Sequence, residues 1–168
     1  MSKFLDVKKT IETIVYVSHK SNDLFHIVKI LFFADKFHLE NYGRLITGDH
    51  YKAMKEGPVP SGAYDIIKYV RGDGKVQING EPEIAFRVEG NKKIIPLRAP
   101  NLEYLSESDI ECLDKAIEIY APMSFNELYD IVHNEQSYIN AKPNGDIPLI
   151  SIIQSLPNSK EVLEYINS

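Results

Sequence analysis

Asp35 and His38 stand three residues apart in KILFFADKFHLENYG, the segment covering residues 29–43. On a helix that spacing makes them neighbours on one face. A carboxylate can then orient an imidazole and hold its tautomer, the arrangement of a general acid–base couple. With Asp49, His50 and His133 the same two residues would also supply oxygen and nitrogen donors for a metal. Neither chemistry is demanded by the pattern. The helical pair is Asp-x-x-His, not the His-Glu-x-x-His of zinc proteases, and no nucleophile motif accompanies it. A third role follows from the helical period. At 100° per residue Leu24, Val28, Leu31, Asp35, His38 and Tyr42 share one face, so Asp35 and His38 continue an apolar stripe and point inward. Burying a carboxylate without a partner costs on the order of several kcal/mol, so both side chains need donors or acceptors. The backbone groups of the turns at 44–50 and 57–61 are at hand, and we read the pair as a brace for those loops.

The elements that must position these residues follow from periodicity and punctuation. Leu5 to Ser18 reads as a first helix through Val7, Ile11, Ile14 and Val15. Ser21, Asn22 and Asp23 offer N-caps for a second, Asp23 to Tyr42, with Gly43 as its terminator. Residues 44–50 are a turn-rich connection, and 51–55 alternate as a short strand. Gly57-Pro58-Val59-Pro60-Ser61 is expected to break the chain before a third helix that runs to Arg71 and ends at Gly72-Asp73-Gly74. A hairpin is expected from Ile84, Phe86 and Val88, through Gly90-Asn91, to Lys93–Leu97, with Pro96 at an edge. Ser106 with Asp109, and Ser124 with Glu127, are capping boxes opening two more helices, one ended by Pro122 and one running to His133. An apolar run from Ile147 to Leu156 and a short docking helix, Lys160 to Ile166, close the chain. Helices, a small sheet and helices again, without βαβ alternation, describe an α+β, predominantly helical single domain over residues 1–168 with a small antiparallel β element.

Composition narrows the function classes. Hydrophobic residues at 43% and charged residues at 26% fit ordinary globular order at a length of 168 residues, enough for one core. No apolar run reaches a membrane span and charge arrives early at the N-terminus, so a cytoplasmic protein without membrane contact is expected. The lone Cys112 excludes an intrachain disulfide and a cysteine-rich zinc site. Net charge is −5, split into +3 over residues 1–75 and −8 over 76–168, which argues against a general nucleic-acid binder and leaves an acidic half that suits a basic partner or plain solvation. The glycines form no phosphate-binding motif and read as turn residues; no cofactor is expected. His19 and His26, near helix ends, are expected to face solvent. Tyr42, Tyr51, Tyr64 and Tyr69 cluster around the first segment and suit either a core or a protein interface. A winged-helix-like DNA-binding regulator can be built from the first two helices and the hairpin, but Lys29, Lys36, His38 and Glu40 do not make a basic recognition face.

One combination is more specific. Lys29-Ile30-Leu31-Phe32-Phe33-Ala34-Asp35, then His38, Tyr42-Gly43, Ile46-Thr47-Gly48-Asp49, Tyr51, Gly57-Pro58-Val59-Pro60 and Tyr64 resemble the signature of the Panacea domain, the SocA-like antitoxin family associated with phages. His133-Asn134-Glu135-Gln136-Ser137-Tyr138, with Ala141, is a looser echo of a second family segment. The resemblance implies a helical domain with a small β element that serves as the antitoxin of a toxin–antitoxin pair, binding a cognate toxin and performing no catalysis. One branch of the family looks like an adaptor delivering its toxin to a AAA+ protease. It also implies that the signature maintains the scaffold, with Asp35 and His38 as buried polar braces and the toxin contacts on other faces. A DNA-binding regulator and a hydrolase using Asp35 and His38 stand as the alternatives from other classes.

Overall fold

The computed structural model describes residues 4–168. Helix α1 (Val7–Ser18) is capped by Asp6, whose carboxylate accepts from the Lys9 amide, and α2 (Leu24–Tyr42) by Asp23, which accepts from the His26 amide. Both helices therefore begin just after the capping aspartate. Gly43 ends α2 at φ 74°, where its amide reaches the His38 and Leu39 carbonyls, a left-handed geometry that favours glycine.

Helix α2 is the centre of the molecule. Every residue from Ile27 to Asp35 is buried, on all sides of the helix. The stripe read from the sequence is thus one face of a helix that is apolar all round, as a helix surrounded by protein must be. Against it lie α4 (Glu107–Tyr120), where Phe33 stacks on Tyr120 at 4.0 Å, and the helices α1, α5 (Phe125–His133), α7 (Leu149–Gln154) and α8 (Ser159–Ile166). The buried cluster runs without interruption from Ile11 to Val162. Both expected capping boxes form, Ser106 with Asp109 and Ser124 with Glu127.

Strands β1 (Tyr51–Met54), β2 (Gly57–Pro60) and β5 (Asp146–Ile147) form an antiparallel sheet ordered β2-β1-β5. Here the expected chain break at 57–61 is corrected: its first four residues are a strand, with Tyr51 opposite Pro60 and Met54 opposite Gly57. The physical reason is position. The Ala53 amide goes to the Gly145 carbonyl, on the β5 side, so by strand alternation Val59 faces β1 while Pro58 and Pro60 turn outward. Prolines are admissible at an edge because they lack the amide that a further strand would need. Pro60 then leads into α3 (Ser61–Arg71), ended by Gly72.

The second hairpin joins β3 (Phe86–Glu89) to β4 (Lys93–Pro96). Ile84, expected in the first of these strands, lies instead in a 3-10 turn over Pro82–Ile84 and is 60% exposed. Pro82 opens that turn, and the Ala85 amide closes it on the Pro82 carbonyl, which takes Ile84 out of the ladder. The run from Ile147 to Leu156 divides between β5 and α7, and a one-turn helix α6 (Gln136–Ile139) precedes them. The result is an α+β, predominantly helical fold. Among the described residues no helix is long and apolar enough to cross a membrane.

Candidate functional site: a clamped hairpin and the groove beside it

Asp35 and His38 are both buried, and each turns to a different partner. Asp35 Oδ1 accepts from the Ile46 amide at 2.8 Å, and Oδ2 accepts from the Tyr51 hydroxyl at 2.6 Å. Burial pushes the Asp35 carboxyl up to about 7, against these two hydrogen bonds and with help from the charges of Asp49 and Asp109. The Tyr51 phenol, also 3.1 Å from the Leu31 carbonyl, is driven far above its ordinary range by burial and by Asp35. His38 Nδ1 donates to the Arg44 carbonyl at 2.8 Å, which leaves Nε2 to accept from the Ser108 hydroxyl at 2.8 Å. Burial lowers the pKa of this imidazole, in keeping with a neutral ring. Both residues brace the 44–50 loop, and they do not form a couple with each other.

The rest of that loop is held as tightly. The Thr47 carbonyl accepts from the Asp6 amide at 2.9 Å. Gly48, at φ 77°, sits where a Cβ would come 2.2 Å from the Phe4 carbonyl oxygen. Asp49 accepts from the amides of His50 and Gly62 at 2.8 Å and of Ala63 at 2.9 Å, so it caps α3 from outside that helix. Burial raises the Asp49 pKa despite those amides. Asp35, His38 and Asp49 of the expected donor set are committed to these tasks, and among the described residues no group of three or more His, Cys, Asp or Glu is placed to hold a metal ion. Tyr42, expected on the buried face, is 41% exposed at the end of α2, where its hydroxyl donates to Glu111.

Asp109, read from the sequence only as a cap, proves to be a junction. Its buried carboxylate meets Lys9 at 2.7 Å, Arg44 at 3.1 Å and His38 at 3.4 Å, and it also accepts from the Ser106 amide at 2.9 Å. Burial alone would raise its pKa, but Lys9 and Ser106 hold it below the ordinary carboxylate value. A signal was present: Asp109, Cys112, Leu113 and Ala116 follow the i, i+3, i+4, i+7 pattern and are the buried residues of α4. Cys112 is buried among them, and burial lifts its thiol to about 11, the mark of an unreactive thiol.

The remaining signature residues converge on the β1–β2 hairpin. The outward carbonyl of Pro58 accepts from Lys29 Nζ at 2.9 Å, and Lys29 is 1% exposed in the middle of α2. Gly57, at φ 114°, lies so close that a Cβ would come within 2.7 Å of Val132 and 3.3 Å of Lys29 Cε. The segment 133–138 grips the turn from its other side. His133 Nε2 is 2.9 Å from the Lys55 carbonyl, and the Tyr138 hydroxyl donates to the Met54 carbonyl at 2.6 Å. Within that segment Glu135 pairs with Lys36 at 2.6 Å, back on α2. Helix α2 is thus committed to internal contacts over its buried stretch from Ile27 to Asp35. His26 is not turned to solvent as expected: Nδ1 lies 2.8 Å from Asp23 Oδ2 and Nε2 2.7 Å from the Met123 carbonyl.

Beside the hairpin opens a groove of about 720 Å³. Its apolar walls include Phe25, Val28, Val59 and Phe125, with Tyr64 of α3 opposite and Lys29 at its base. Phe25 and Phe125 lie 4.4 Å apart between ring centres, yet Phe125 remains 45% exposed. Lys55 and Glu56 of the hairpin turn and Lys92 of the β3–β4 turn stand on the rim. The β3–β4 turn is fixed there by the Leu24 amide, which donates to the Lys92 carbonyl at 2.7 Å.

Residues 27–138, from α2 through most of α6, match the family described as antitoxin SocA-like, Panacea domain. No curated protein and no solved structure matches the chain.

Proposed function

Since the chain belongs to the SocA-like antitoxin family with the Panacea domain, we propose that it neutralises a cognate toxin by direct binding in the cytoplasm. The family match carries this reading, and it covers the braced segment from Lys29 to Tyr138. In this reading the protein acts by binding and not by turnover. The hydrogen-bonding pattern supports that choice, because Asp35, His38 and Asp49 spend their polar atoms on the protein's own backbone and neighbouring hydroxyls. An exposed aromatic groove is the kind of surface on which a protein partner gains affinity.

The test is co-expression with the product of the adjacent reading frame. We expect that product to arrest growth alone, and growth to return when this protein is co-expressed and co-purifies with it. A harmless neighbour and no complex would overturn the reading. Steric neutralisation and delivery to a AAA+ protease separate in a chase: the toxin's half-life shortens in the presence of this protein only under delivery.

A further inference from the structure

The groove beside the β1–β2 hairpin carries more positive charge than it balances. Lys29, Lys55 and Lys92 line it, and among the described residues none of the three is in an ion pair. Of its two carboxylates, Asp23 is engaged by His26 and by the first turn of α2, and Glu56 acts on Lys29 through its charge without forming an ion pair with it. The Lys29 ammonium has three N–H donors and is given one oxygen, the Pro58 carbonyl, with the Phe25 ring face 5.2 Å away. This concentration stands out on a chain of net charge −5. Around it lie apolar walls with two adjoining aromatic rings, and a volume of about 720 Å³ suits one or two large side chains rather than a broad flat contact.

Building on the antitoxin reading, we propose that this groove receives an acidic, apolar segment of the toxin. An aromatic or aliphatic side chain of that segment enters between Phe25, Val28 and Phe125, and a carboxylate beside it meets Lys29 with Lys55 and Lys92 at the rim. Two observations support the assignment independently. The unbalanced lysines select the charge of the occupant, and the exposed face of Phe125 selects an apolar anchor. Burial lowers the Lys29 pKa to about 7 against the charge of Glu56, so an arriving carboxylate would favour the charged ammonium. The outer edge of β2 offers no amide at Pro58 or Pro60, so the occupant is held by side chains and not as an added strand.

The experiment measures toxin affinity by calorimetry for the full-length protein, for Phe125→Glu, for Lys55→Glu with Lys92→Glu, and for Ile139→Glu with Leu149→Glu, two exposed apolar sites outside the groove. Circular dichroism melts accompany each variant. We expect both groove variants to weaken binding by about thirtyfold or more, the loss of a central contact, with the control pair binding as the unmodified protein does. Because Lys55 and Lys92 are exposed, their variant stays folded and decides the matter even where Phe125→Glu disturbs folding. Folded groove variants that bind normally would overturn the groove while leaving the antitoxin reading intact. Loss of binding in Phe125→Glu with none in the lysine pair would overturn the acidic occupant. Dimers of the free protein dispersed by Phe125→Glu would give the groove to a second copy instead. Absence of any toxin complex with the unmodified protein would remove both readings together.

Discussion

Replacing Asp35 by Asn tests whether a buried carboxyl is held as a scaffold brace. The folded carboxyl titrates at about 7 against an ordinary 3.8, so the folded state binds more protons than the unfolded chain between those values. Its contribution to stability is therefore full below pH 3.8 and is lost as pH rises towards 7. That displacement is worth roughly 4 kcal/mol in full, at about 1.4 kcal/mol per tenfold change. Asn keeps the shape and both contacts: Oδ1 still accepts from Ile46, and the amide group donates to the Tyr51 hydroxyl, which can turn to the Leu31 carbonyl 3.1 Å away. Urea unfolding at pH 4.5 and pH 8.5 should show Asp35→Asn gaining about 3 kcal/mol on the unmodified protein between the two conditions. Asp35→Ala orphans the Ile46 amide, leaves the Tyr51 hydroxyl only the Leu31 carbonyl, and should cost roughly 2–5 kcal/mol at pH 4.5, where the burial of charge no longer offsets it. A constant difference between Asp35→Asn and the unmodified protein across that range would refute the reasoning.

Other positions carry expectations of their own. Lys29 titrates at about 7 when folded and at 10.5 ordinarily, so its burden is present below pH 7 and relieved as pH rises towards 10.5; Lys29→Met should flatten the corresponding slope, roughly 3–4 kcal/mol, in unfolding curves from pH 7 to 10. Asp109→Ala strips partners from Lys9 and Arg44 and removes a capping box, and should lower stability by about 3–5 kcal/mol in urea at pH 7. The Asp109 carboxylate stabilises above its ordinary pKa, so the difference should shrink as the assay is moved to acid. Gly48→Ala forces a Cβ against the Phe4 carbonyl at φ 77° and should cost about 1–3 kcal/mol or more, read as a lowered melting temperature.

Much of this was legible in the residues themselves. Helical spacing put Asp35 and His38 inside, because a polar residue on an apolar stripe has nowhere else to point. The caps at Asp23, Ser106 and Ser124 and the terminator Gly43 carry their geometry in their chemistry, and all four act as read. What failed depended on tertiary context. Gly57-Pro58-Val59-Pro60 reads as a break unless it is known that one side of the segment faces a strand and the other faces Lys29. Ile84 fits the alternation of Phe86 and Val88, yet Pro82 and the Ala85 amide fold it into a turn. His26 lies near a helix start, and only the approach of the Met123 carbonyl encloses it. The groove was not visible at all, since Phe25, Tyr64, Lys92 and Phe125 come from four separate elements and share no local pattern.

The proposal assigns Asp35 to holding the fold and the groove at Phe125 to holding the partner. Toxin affinity measured side by side for Asp35→Asn and Phe125→Glu, both checked for folding, tests it most directly. We expect Asp35→Asn to bind the toxin as the unmodified protein does, and Phe125→Glu to bind about thirtyfold more weakly or not at all. A folded Asp35→Asn protein that no longer binds, beside a Phe125→Glu protein that still does, would contradict it.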